Sequence, residues 1–152
     1  MKHTTVCYIE KDNHYLMIHR VKKKNDANHD KWIGIGGKLE ESESPYDCIR
    51  REVKEETGLT LNKVIYKGFI TFVSDEFGTE YMHLFKSVDF SGKVLDTCDE
   101  GVLEWISKND LLKIPMWEGD KIFLDLLDKD IPFFSLKLVY QGDTLINHQL
   151  YY

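Results

Sequence analysis

The sequence predicts a mixed α/β fold in a single domain. Three features point to it: β-branched and aromatic runs recurring along the chain, one strongly capped helix at 45–57, and a second helical spacing at 117–127 set among strand-like segments. At 152 residues the chain is close to the usual size of one domain, and no repeat or linker divides it, so residues 1–152 are expected to fold together.

Taken in order, residues 3–10 and 14–20 read as two strands joined by the turn formers Asp12 and Asn13. Residues 21–31, VKKKNDANHDK, have no apolar periodicity and read as a solvated surface loop. Residues 32–37, WIGIGG, are a short apolar stretch whose glycines let the backbone turn sharply and approach a ligand. Ser44 precedes Pro45, and Asp47 follows three residues after the serine; this is an N-cap, a first-turn proline and a capping-box-like start. Gly58 stands where the left-handed residue after a helix belongs, which sets the helix at 45–57. Segments 63–75 and 80–90 read as two long strands joined through 76–78, and VLEWIS at 102–107 as another. Ile122, Phe123, Leu126 and Leu127 have helical spacing within 117–127, and a final hairpin follows at 133–140 and 144–150 around Gly142 and Asp143.

Composition narrows the function classes. With 42% hydrophobic and 30% charged residues and 3 prolines, the chain is an ordinary globular one. A formal net charge of -6 argues against holding long nucleic acid through its phosphates, which takes an excess of Lys and Arg. A small anionic ligand would instead need a bound cation or a locally positive mouth. Cys7, Cys48 and Cys98 have no C-x-x-C spacing, so neither a disulfide framework nor a zinc cage is indicated. No segment approaches 18 apolar residues and the N-terminus turns charged early, so no membrane partner is expected and a cytoplasmic location is.

The chemistry-bearing constellation lies on the capped helix. At about 100° per residue, Glu52, Glu55 and Glu56 fall within an arc of roughly 100°, beside Ile49 and Val53. Like charges at these spacings cost a helix about 0.2–0.5 kcal/mol per pair. Taken alone, such a face is either solvated surface or a seat for a divalent cation, and hard oxygen ligands suit Mg²⁺ or Mn²⁺.

Residues 37–59, GKLEESESPYDCIRREVKEETGL, satisfy the pattern G-x5-E-x7-R-E-U-x-E-E-x-G-U, where U is apolar, at Gly37, Glu43, Arg51, Glu52, Val53, Glu55, Glu56, Gly58 and Leu59. The chain therefore resembles the Nudix hydrolases, and the resemblance implies an α/β/α sandwich around a mixed β-sheet. It also implies that Glu52, Glu55, Glu56 and the Gly37 carbonyl are metal ligands, with Arg51 and Glu43 bracing loop and helix. Glu55 is the first candidate for the general base and Glu100, in TCDEG, the second and a further metal ligand; Glu100 also reads as a plain turn acid.

KWIGIGGKLE, MWEGD and the closing hairpin resemble the MutT-type 8-oxo-dGTP diphosphatases, which release pyrophosphate and keep the oxidised nucleotide out of DNA. On that resemblance Trp117 and Asp120 bind the base and Arg20 contacts the phosphates; without it Trp117 also reads as a cap on the core and Asp120 as a first-turn helix acid. By charge alone Lys22, Lys23 and Lys24 are placed to steer an anion, with Arg20 the one basic residue of this group assigned to the substrate. Lys38 either contacts a phosphate or is solvated, and Thr5 is a further candidate in the base pocket. Some family members carry an amide where this chain has Ile33 and an aspartate where it has Gly119. The box is common to enzymes acting on canonical dNTPs, nucleotide sugars and dinucleoside polyphosphates, and noncatalytic nucleotide-sensing relatives exist. Monomer and homodimer both stay open.

Overall fold

The computed structural model describes residues 2–22, 26–96 and 98–152. Among the described residues nine strands form one sheet: β1 (Lys2–Lys11), β2 (His14–His19), β3 (Trp32–Ile33), β4 (Ile35–Lys38), β5 (Thr60–Ser74), β6 (Gly78–Ser91), β7 (Val102–Ser107), β8 (Phe134–Gln141) and β9 (Thr144–Tyr151). The main path runs β3-β2-β1-β6-β5-β8-β9, with β4 added to β1 and β7 to β2. Pairs β1–β6 and β5–β8 are parallel and the others antiparallel, so the sheet is mixed as expected. Helix α1 (Pro45–Thr57) and helix α2 (Glu118–Leu127) complete it, with a 3₁₀ helix at Lys108–Lys113.

Alternation along β1 and β2 explains why helices pack on both faces. Val6, Tyr8, Tyr15 and Met17 join Phe123, Leu124, Leu126 and Leu127 of α2 in one core. Cys7, Ile9, Leu16 and Ile18 join Ile49 and Val53 of α1 in the other. Successive side chains of a strand point to opposite faces, so a strand buried on both sides reads as a continuous apolar run, as residues 15–18 do.

The best-determined local features are those with a backbone reason. Asp12 and Asn13 both have positive φ, 51° and 63°, the twist a two-residue hairpin turn requires. At the start of α1 the Ser44 hydroxyl accepts the Asp47 N–H at 3.1 Å and the Asp47 carboxylate accepts the Ser44 N–H at 3.0 Å. Gly58 closes the helix in the left-handed region at φ 82°. Stretch 32–37 differs from the expected irregular turn: it forms β3 and β4, because β2 and β1 offer it open edges to pair with. The 3₁₀ helix was not foreseen either; it caps itself locally, with the Ser107 hydroxyl accepting the Asn109 N–H. Among the described residues no helix is long and apolar enough to cross a membrane.

Ile49 is wholly buried between α1 and the sheet. Ile49→Ala is expected to destabilise the protein by about 2–5 kcal/mol in urea denaturation; a loss below about 1 kcal/mol would mean that α1 is not anchored there.

Candidate active site

Helix α1 and strand β4 meet at Gly37. Gly37 pairs with Thr5 across the β1–β4 ladder, and a Cβ built on it would lie 2.4 Å from Glu52 Cδ. Only a residue without a side chain lets the Glu52 carboxylate press against this backbone. The Gly37 carbonyl accepts the Thr5 hydroxyl at 3.3 Å, and the Cys48 thiol lies 3.7 Å from it and 3.4 Å from the Lys38 carbonyl. Thr5 lines the cleft, but its hydroxyl serves the glycine loop.

Arg51 organises the acids. Its Nε and Nη2 hold both Glu43 oxygens at 2.7 and 2.9 Å, and its Nη1 reaches Glu52 at 2.8 Å and Glu55 at 3.3 Å. Nη2 also donates to the Lys38 carbonyl at 3.2 Å. These bonds, with the Glu40 N–H, hold the Glu43 carboxyl down at about 2. Glu52 moves the other way: burial raises its pKa, and the Arg51 hydrogen bond offsets only part of that rise.

Glu56 is the most perturbed acid of α1. Burial first, then the nearby Glu100 and Glu52 carboxylates, push it well above the usual carboxylate range. Its Oε2 is buried and has no hydrogen-bond partner, a costly state for a polar oxygen. Glu100 accepts Arg20 Nη1 at 2.6 Å, while Arg20 Nε donates to Asp26 at 2.8 Å. Glu55 remains open, with its side chain 60% exposed.

This donor set suits a hard divalent cation. It offers a carbonyl, buried carboxyls and one orphaned oxygen, all hard ligands. In the conformation described, Arg51 holds Glu52 and Glu55 and Arg20 holds Glu100; among the described residues no three acidic, histidine or cysteine side chains form a metal cage as they stand.

A cleft of about 710 Å³ runs from these acids to α2. Glu52, Glu100, Arg20, Gly37 and Lys38 line one end, Trp117 and Asp120 the other. Of the sequence-predicted residues, Thr5, Arg20, Gly37, Lys38, Glu52, Glu100, Trp117 and Asp120 share this cavity, while Lys22, Glu43, Arg51, Glu55 and Glu56 do not line it. Trp117 is only 5% exposed: the Lys31 ammonium lies 4.4 Å over its ring, and Phe72 and Tyr140 pack against it edge-on. Lys22 donates to the Cys98 carbonyl, and Lys23 and Lys24 lie outside the described residues.

The expected solvated loop is in part a wall of this cleft. Asp26, Ala27 and Asn28 line it, Ala27 packs on the α2 core, and Asn28 Oδ1 accepts the Trp117 indole N–H at 2.7 Å. Glu80 lines it too, accepting the Thr4 hydroxyl at 2.7 Å. In the sequence these residues carry no signal that separates them from ordinary turn formers and strand acids.

A carboxylate helix braced by an arginine beside a glycine carbonyl, opening on a nucleotide-sized cleft, defines the class of the Nudix hydrolases. The NUDIX domain family model matches residues 1–127, and the chain belongs to that family. It is 30% identical to the Nudix hydrolase YvcI of Bacillus subtilis over 133 residues, 85% of this chain and 80% of that one. It is 32% identical to the oxidized purine nucleoside triphosphate hydrolase of Danio rerio over 135 residues, 84% of this chain and 82% of that one. The crystal structure of the MutT mutator protein from Bacillus halodurans superposes with a TM-score of 0.85 at 29% identity, covering 99% of this chain and 97% of that one.

Asp120, at the first turn of α2, is raised to about 8 by burial and by Glu80, against a smaller opposing pull from Lys31. A helix N-terminus favours a carboxylate by about 0.3–1 kcal/mol, and here desolvation outweighs it. The folded protein therefore takes up a proton that the unfolded chain lacks between about pH 4 and the folded value, so the stability Asp120 contributes is present at low pH and lost as pH rises through about 8. Between pH 5 and pH 8.5 the thermal midpoint is expected to fall more for the parent protein than for Asp120→Asn; equal slopes would show that Asp120 is not buried as described.

Proposed function

We propose that this protein hydrolyses an oxidised purine nucleoside triphosphate, 8-oxo-dGTP first, to the monophosphate and pyrophosphate, and so keeps it from DNA synthesis. The observation that carries the reading is the single cleft joining Glu52 and Glu100 to Trp117 and Asp120. Its volume is that of a small-molecule site, about 300–1,000 Å³. Support comes also from the Danio rerio relative, named an oxidized purine nucleoside triphosphate hydrolase.

The Gly37 carbonyl, Glu52, Glu55, Glu56 and Glu100 would hold Mg²⁺, with Mn²⁺ as substitute. When bound, the ion supplies Lewis acidity at phosphoryl oxygens and charge neutralisation of the leaving pyrophosphate. The protein's own groups do the rest. Arg51 and Glu43 keep the glycine loop against α1. Glu55 takes the proton of the attacking water; its exposure and single 3.3 Å contact leave it freer than Glu100, which Arg20 holds at 2.6 Å. Lys38, exposed at the rim, and Arg20 meet the phosphate chain. Trp117 acts as a wall for the base, since most of its ring is covered. Asp120 is largely neutral near pH 7, so its carboxyl can both donate and accept a hydrogen bond at the base edge.

Glu55→Gln and Glu56→Gln are each expected to lower kcat on 8-oxo-dGTP by at least about 100-fold while circular dichroism stays unchanged. Full activity in either variant would remove that carboxylate from the mechanism. Trp117→Ala is expected to raise KM by about 10-fold with a smaller change in kcat; an unchanged KM would place the base elsewhere.

A further inference from the structure

The loop from β2 to β3 contributes one amide to the cleft, and its orientation is fixed. Asn28 lines the cavity at the end that holds Trp117 and Asp120. Its Oδ1 accepts the Trp117 indole N–H at 2.7 Å. An indole nitrogen only donates, so the amide must turn its oxygen toward the tryptophan, and what remains for another partner is Nδ2 with its two donors. The backbone of Asn28 is held as well. Its N–H reaches Asp26 Oδ1 at 3.3 Å, its carbonyl accepts the Lys31 N–H at 2.9 Å, and Asp26 is itself clamped by Arg20.

The other groups at this end give Asn28 its weight. Ala27, Ile33, Phe72, Met82 and Phe123 are apolar cleft walls and contribute no side-chain hydrogen bond. Position 119 is a glycine and adds no side chain from α2; a Cβ there would lie 2.5 Å from Leu138 Cδ1 and 2.7 Å from the Tyr140 hydroxyl, which accepts the Gly119 N–H at 2.7 Å, so a larger residue would have to displace those side chains. Asp120 can donate or accept, and so does not by itself choose between a carbonyl and an amino group on the base.

We propose that Asn28 is a base-reading residue whose Nδ2 donates to a carbonyl oxygen on the purine edge, so that the cleft prefers oxopurine nucleotides to 6-aminopurine ones. The inference rests on the nucleotide reading of the cleft given above. An adenine would set its 6-amino donor against the amide donors, leaving both without an acceptor, which disfavours that base.

Two variants separate base reading from support of Trp117. Asn28→Asp keeps an acceptor for the indole N–H and removes both amide donors; Asn28→Ala removes both functions. For each, kcat/KM is measured on 8-oxo-dGTP, dGTP and dATP with Mg²⁺, and calorimetric affinity for dGMP and dAMP without metal. The expected result is an oxopurine preference in the parent protein that falls about 10-fold or more in Asn28→Asp, in turnover and in metal-free binding alike. An unchanged ratio in Asn28→Asp, with loss confined to Asn28→Ala, would show that Asn28 only holds Trp117 and would overturn the proposal. A parent protein that turns over or binds these nucleotides without oxopurine preference defeats this inference alone. One that neither turns over nor binds any of them defeats the nucleotide reading as well.

Discussion

The site depends on one guanidinium. Arg51 grips both oxygens of Glu43 from the loop before α1, the Lys38 carbonyl from the end of β4, and Glu52 and Glu55 from its own helix. A planar fork with five donors can make these bonds together, and an ammonium cannot. The effect is geometric more than energetic. The bonds fix the distance between the glycine backbone and the helix acids, and the absent side chain of Gly37 lets that distance close to contact. Without Arg51, Glu52 and Glu55 would repel across one helix turn with no compensating cation.

The same balance of burial against pairing sets the state of the acids around the site. Glu43 stays strongly ionised because a cation and a backbone N–H pair with it. Glu56 and Asp120 are raised mainly by burial, each beside another carboxylate. Glu56 has a buried oxygen without a hydrogen-bond partner, with Glu100 and Glu52 nearby. Asp120 lines the cleft together with Tyr8, Phe123 and Trp117, where a neutral acid is the cheaper form. Each helix thus carries one buried acid, on opposite faces of the sheet.

Much of this was legible in the sequence, for identifiable reasons. Helix α1 has the residue bounds its cap residues announce, because Ser44, Pro45, Asp47 and Gly58 act through local backbone geometry. The first hairpin was legible because Asp12 and Asn13 accept positive φ. Arg51 and the acids were legible as a spacing on one helix. What escaped is what depends on distant partners. Strands β3 and β4 exist because β1 and β2 have edges to offer, and the loop at 26–31 is ordered by Arg20, Trp117 and Asp143, none of which lies within it. The covering of Trp117 by Lys31, which limits stacking on its face, depends on the same long-range folding.

On the proposed function, carboxylates on α1 and a base pocket on α2 act on one nucleoside triphosphate held between them. The most direct measurement is kcat/KM for 8-oxo-dGTP against dGTP with Mg²⁺, following pyrophosphate and orthophosphate separately. If that function is right, pyrophosphate is the product and the oxidised nucleotide is clearly preferred. Orthophosphate release, or no turnover of either nucleotide, would contradict it.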